Sequence, residues 1–97
     1  MARIPLVDLA TVVSRQRLSA GRSLPSGAVV LATRGRRLLK LNAIGTRIWE
    51  LAADAMPVSD IVARICEEFD VSPDRATRDV TAFVEDLARN GILEVGN

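Results

Sequence analysis

Side chains able to do chemistry are sparse in these 97 residues, and their absences decide as much as their presences. There is no histidine, which removes imidazole general bases, Ser-His-Asp and Cys-His arrangements and histidine metal ligands together. The lone cysteine, Cys66, can build neither a thiolate zinc site nor an internal disulfide. It falls near the apolar side of a helical stretch, so it reads as a small buried hydrophobe rather than a nucleophile. Carboxylates gather at Glu67-Glu68-Asp70 and at Asp79 and Glu85-Asp86. The first group is a solvated helix end without the glycine-centred spacing of a calcium loop. The second lies on a helix surface, where paired acids more often solubilise than catalyse. Gly21, Gly27 and Gly35 have neither the spacing nor the following Lys-Ser/Thr of a phosphate loop. This inventory argues against an enzyme and calls for no metal or cofactor.

Binding is what remains. Two phenylalanines, one tryptophan and no tyrosine are poor material for stacking single-stranded nucleic acid. Charge is more telling. Residues 1–50 carry nine basic side chains against two acids, and residues 51–97 carry four against ten, so a net charge of +1 hides halves of +7 and −6. Such a split implies a polarised surface and an acidic partner for the first half, unless the halves simply attract each other.

The chain that must position these groups is long enough for one modest core. No apolar run approaches the roughly 20 residues of a membrane span. Arg3, Pro5 and Asp8 interrupt the opening stretch and make it a poor secretory signal. The single cysteine fits a reducing cytoplasm. Residues 1–26 are the least readable: TVVSRQRL (11–18) fits a strand or a helical turn, and GRSLPSG (21–27) a connector. GAVVLAT (27–33) and RRLLKLN (36–42) then read as two strands of an antiparallel hairpin, with Gly35 in the turn.

Helical spacing begins at Asn42, a good N-cap, with Ile44, Ile48, Leu51 and Ala52 on one face and Trp49 beside them. A second helix starts around Pro57–Ser59 and carries Val58, Ile61, Val62, Ile65 and Phe69 on its apolar side. The third is marked by Ser72, Pro73 and Asp74, has the stripe Ala76, Val80, Phe83, Val84 and Leu87, and stops at Asn90-Gly91. ILEV (92–95) can close the chain as a strand. A small sheet with three helices is an α+β arrangement with the outline of a winged helix-turn-helix domain.

Two binding modes suit that outline. A DNA-binding version would present a helix rich in Arg, Lys, Asn or Gln to the major groove. Here the second and third helices mix Arg64, Arg75, Arg78 and Arg89 with a larger number of acids, so the field of their own surface opposes phosphate. A peptide-binding version would use the second strand of the hairpin as an open sheet edge, to which an incoming chain adds as a further strand. Arg36, Arg37 and Lys40 would discourage aggregation and attract an acidic peptide. Alternation puts Arg36, Leu38 and Lys40 on one face and Arg37, Leu39 and Leu41 on the other, and leaves open which leucine meets the peptide.

At this point the residues resemble a family. LNAIGTRIWEL (41–51), SDIVARICEEFDV (59–71) and RDVTAFVEDLARNGIL (78–93), following a hairpin that ends in LN, are similar to the PqqD-like small proteins, also called RiPP recognition elements. The LN-x-x-G-x-x-I-W form is closest to the stand-alone proteins of lasso-peptide pathways. The resemblance covers roughly residues 27–95, so residues 27–97 form the expected domain. Residues 1–26 form an N-terminal arm that could include the first strand.

The resemblance implies a winged helix-turn-helix fold of three strands and three helices, and a non-catalytic role. Such proteins bind the leader region of a ribosomally made precursor peptide and present it to a maturation enzyme, such as a leader peptidase or a radical enzyme. The leader would pair along Arg36, Arg37, Leu38, Leu39, Lys40 and Leu41 and lie against the third helix. One flank of that helix offers Arg75, Asp79, Ala82 and Asp86, with Phe83 as apolar floor, and the other offers Thr77, Thr81 and Val84. The first flank is the preferred one. No nucleic acid or membrane partner is expected, and an open edge also permits a strand-exchanged dimer. Two departures stand out: Asp54 is followed by Ala55 where the family often has Gly, and Leu39 stands where many members have an aromatic residue.

Overall fold

The computed structural model describes residues 7–16, 20–32 and 37–96. In chain order the elements are β1 (Val12–Arg15), β2 (Ala20–Leu24), β3 (Gly27–Ala32), β4 (Arg37–Lys40), α1 (Ala43–Leu51), β5 (Met56–Pro57), α2 (Val58–Phe69), α3 (Pro73–Arg89) and β6 (Leu93–Gly96). The hairpin forms as its alternation requires: β3 and β4 pair antiparallel, with Val30 opposite Leu39 and Leu31 opposite Leu38. The turn expected at Gly35, and Arg36 with it, lies outside the described residues.

Two expectations change. GRSLPSG is no mere connector, because Ala20–Leu24 is strand β2, paired antiparallel to β3. Its glycine obscured it. A Cβ on Gly21 would stand 2.7 Å from a ring carbon of Trp49, so this strand needs glycine for close packing against α1 rather than for a turn. The single three-stranded sheet also becomes two, ordered β2-β3-β4 and β5-β1-β6. Within TVVSRQRL, Val12–Arg15 is the central strand of the second sheet, with Val13 fully buried. The two-residue β5 carries no signal readable in sequence, and the closing strand β6 pairs along β1.

α1 and α3 start where a side chain can accept from a free amide, whereas α2 follows Pro57, which offers no side-chain cap. The Asn42 carboxamide oxygen accepts from Gly45 N–H at 2.8 Å, and the Ser72 hydroxyl accepts from Arg75 N–H at 3.3 Å. α3 ends at Asn90, followed by Gly91 at φ +75°. Val58, Ile61, Ile65, Val80, Val84, Leu87 and Ile92 form the centre of the core, which Ile48 of α1 and Val30 of β3 join. Cys66 is half-buried at its margin. Arg15 ties β1 to α1. Its guanidinium stacks 3.7 Å from the Trp49 ring centroid, and its Nε–H donates to the Trp49 carbonyl at 2.9 Å. Desolvation there pulls the guanidinium below its ordinary pKa, against Glu50 and Asp54, yet an arginine keeps its charge.

The two charged halves meet in one ion-pair cluster. Arg47 of α1 donates to both carboxylate oxygens of Glu68 on α2, at 2.7 and 3.1 Å, and Arg64 lies 3.7 Å from the same group. The Arg47 hydrogen bond holds the Glu68 carboxyl below the usual carboxylate range. A lowered folded-state pKa adds stability above the unfolded value, and that stability is lost as pH falls through the folded one. The pair is partly exposed and worth under about 1 kcal/mol. Glu68→Gln should therefore lower the melting temperature by a few degrees at pH 7, and by progressively less as the pH falls through the carboxylate range, as measured by circular dichroism across a pH series.

Candidate functional site

β4 is the last strand of its sheet, and no described strand covers its outer side. The direction of its backbone follows from one hydrogen bond. Leu41 N–H donates to the Ala28 carbonyl at 2.8 Å, and antiparallel bonds recur at every second residue. Leu39 and Arg37 therefore spend their N–H and C=O on β3, whereas Leu38 and Lys40 turn theirs to the open edge. The side chains divide the same way. Leu39 is half-buried against the core, while Leu38 stands out with 71% of its surface exposed.

Leu41 departs from the role expected of it. It is buried, its N–H is bonded to Ala28, and its carbonyl accepts the Thr46 hydroxyl at 3.2 Å. That hydroxyl also accepts from Ala28 N–H at 2.9 Å. Leu41 thus anchors the end of the strand instead of offering surface. Arg36 lies outside the described residues.

Two contacts place α3 beside the edge. Arg37 donates from Nη2 to the Asn90 side-chain oxygen at 2.8 Å, and Asn90 Nδ2 donates back to the Asp86 carbonyl at 2.9 Å. Seven residues earlier on the helix, Phe83 Cε1 lies 3.2 Å from where a Gly45 Cβ would be, and Leu41 Cβ lies 3.5 Å from the same point. The helix thus runs opposite in direction to β4, with its end tied at Arg37 and Phe83 seated at the LN junction. Gly45 and Asn90 are site-shaping residues that sequence reasoning missed. The spacing LN-x-x-G was visible, but the need for a bare α-carbon beneath an aromatic ring is not a local property.

On α3, Asp79, Ala82, Phe83 and Asp86 line an open depression of about 290 Å³. Arg75, the fourth member of that flank, is exposed at the start of the helix, with its Nε 3.7 Å from Asp79. On the opposite flank Thr77 and Thr81 are half-buried, as Asp79 and Phe83 are, Val84 is buried, and Val7 N–H donates to Glu85 at 3.3 Å. Among the described residues no group of three or more acids or cysteines could hold a metal ion, and no helix is long and apolar enough to cross a membrane.

An open strand edge, an adjoining helix and an apolar depression between charged side chains define a small α+β domain with a surface shaped for an extended chain. The family profile for coenzyme PQQ synthesis protein D (PqqD) matches residues 27–93, and the chain belongs to that family. No curated protein sequence matches it. Among solved structures, TbiB1 in complex with the TbiA(β) leader peptide is 27% identical, with TM-score 0.75, over 84% of this chain and 94% of that one. A lasso peptide synthetase B1 complexed with its leader peptide is 23% identical, with TM-score 0.72, over 84% and 96%. The PqqD truncation of Methylobacterium extorquens PqqCD, a stand-alone RiPP recognition element, is 22% identical, with TM-score 0.69, over 86% and 88%. These last two speak for the fold.

Proposed function

We propose that this protein is a non-catalytic RiPP recognition element: it binds the leader region of a ribosomally made precursor by adding it as a strand to β4, and presents it to a maturation enzyme such as a leader peptidase or a radical enzyme. The observation that carries this reading is the open edge of β4, with the end of α3 tied beside it through Arg37 and Asn90. Family membership and the similarity to TbiB1 in its leader complex support it. Arg37, Leu38, Leu39 and Lys40 would supply the strand side of the site, and Asp79, Ala82, Phe83 and Asp86 the helix side. Its helices and hairpin are used here as a winged helix-turn-helix turned to peptide.

The charge pattern speaks against the same fold acting on DNA. Three of the four arginines on α2 and α3 stand within 3.7 Å of a carboxylate: Arg64 beside Glu68, Arg75 beside Asp79 and Arg89 beside Asp86. Such helices present little net positive charge to phosphate. Titration of the chain with the fluorescein-labelled leader region of the precursor encoded beside its gene should give saturable one-to-one binding by anisotropy. Absence of binding, together with salt-dependent retention of duplex DNA, would overturn the proposal.

A further inference from the structure

The depression on α3 has a composition that strand addition alone does not require. Its floor is the half-exposed Phe83 ring and the Ala82 methyl, and its two ends are carboxylates. Asp79 and Asp86 are seven residues apart on one stripe of the helix, about 10.5 Å along its axis, with the ring between them. A purely apolar side chain seated there would desolvate both carboxylates without supplying a partner, which is unfavourable. A long side chain with an apolar stem and a cationic head would satisfy both parts. Its methylenes would cover Ala82 and Phe83, and its charge would reach a carboxylate and the face of the ring.

We infer that the depression is a recognition pocket for one lysine or arginine of the bound leader, placed on the side of the added strand that faces α3. This rests on the leader-binding reading and adds a residue class to it. Among the described residues, neighbouring cations do not fill the place. Arg75 and Arg89 each reach one of the carboxylates only at 3.7 Å, and their side chains are 74% and 59% exposed. Such loose contacts on one helix cost little to displace. Arg37 is held at the far end of the helix by Asn90, about 6 Å along the axis from Asp86. Because a strand turns alternate side chains to the same face, the basic residue should keep a fixed even spacing from the other leader residues that face α3.

A library of random 12-residue peptides displayed on phage and selected on the immobilised full chain tests this. Selection should enrich Lys or Arg at one position, two or four residues from an apolar one. A selected peptide in which that residue is changed to Met should bind about 5–10-fold more weakly. The same change should matter less than about twofold against Asp79→Asn/Asp86→Asn, whose near-isosteric side chains leave the fold intact by circular dichroism. Peptides that bind with no basic preference, or a preference that persists in the double variant, would overturn the pocket and leave leader binding standing. A selection that yields no binder would overturn both.

Discussion

Leu38→Pro should weaken leader binding at least about tenfold and leave the melting temperature within a few degrees of the parent, whereas Leu39→Pro should cost about 2 kcal/mol or more in stability. The difference is which way each amide points. The Leu38 N–H faces the open edge, where edge strands tolerate proline, so its loss removes a donor only from the incoming strand. The ring would also stand in the path of that strand. The Leu39 N–H lies on the β3 side of the ladder, opposite Val30, and its side chain packs on the core. Denaturant unfolding and leader anisotropy on the two variants measure both halves of the expectation. Equal effects of the two prolines on binding, at equal stability, would mean that the peptide does not pair with this edge.

Gly27→Ala should be among the most destabilising single-methyl additions in the chain, at about 3 kcal/mol or more, with a fall in melting temperature on the order of 10 °C. Gly27 starts β3 at φ +122°, a region that L side chains rarely adopt, and a Cβ there would press into the Leu41 carbonyl. That carbonyl is also the acceptor for Thr46, so the strain would reach the junction between β4 and α1. Leader affinity should fall with stability, because β4 ends at this junction. Gly96→Ala is the control: nothing lies within 4 Å of its added Cβ, and its melting temperature should stay within about 1 °C. Thermal unfolding followed by the fluorescence of Trp49, the sole tryptophan, reads both variants.

How much was legible depended on whether the cause was local. Helix starts at Asn42 and Ser72 were readable because a cap is chemistry within four residues. The β3–β4 hairpin was readable because alternation and a glycine-bearing turn are equally local. β2 reads locally as a connector, since its Gly21 answers to Trp49, 28 positions away in the chain. Leu41 was grouped with the edge residues because strand alternation places it there, yet Thr46 and Ala28 draw it into the core. Asn90 carried only the mark of a helix stop until the fold brought Arg37 to it.

By itself, the sequence determined the side-chain inventory and the order of the local elements. A chain without histidine and with one cysteine lacks the usual catalytic and metal-binding groups, and its periodicities dictate a hairpin and three helices. Those are consequences of side-chain inventory and short-range geometry. Only the tertiary structure decided which amides of β4 turn to its outer side, that Arg37 meets Asn90 of α3, and that Asp79, Ala82, Phe83 and Asp86 share one depression. These depend on register and on the docking of a helix against a strand some 40 residues earlier in the chain. No window of sequence contains both sides of that contact.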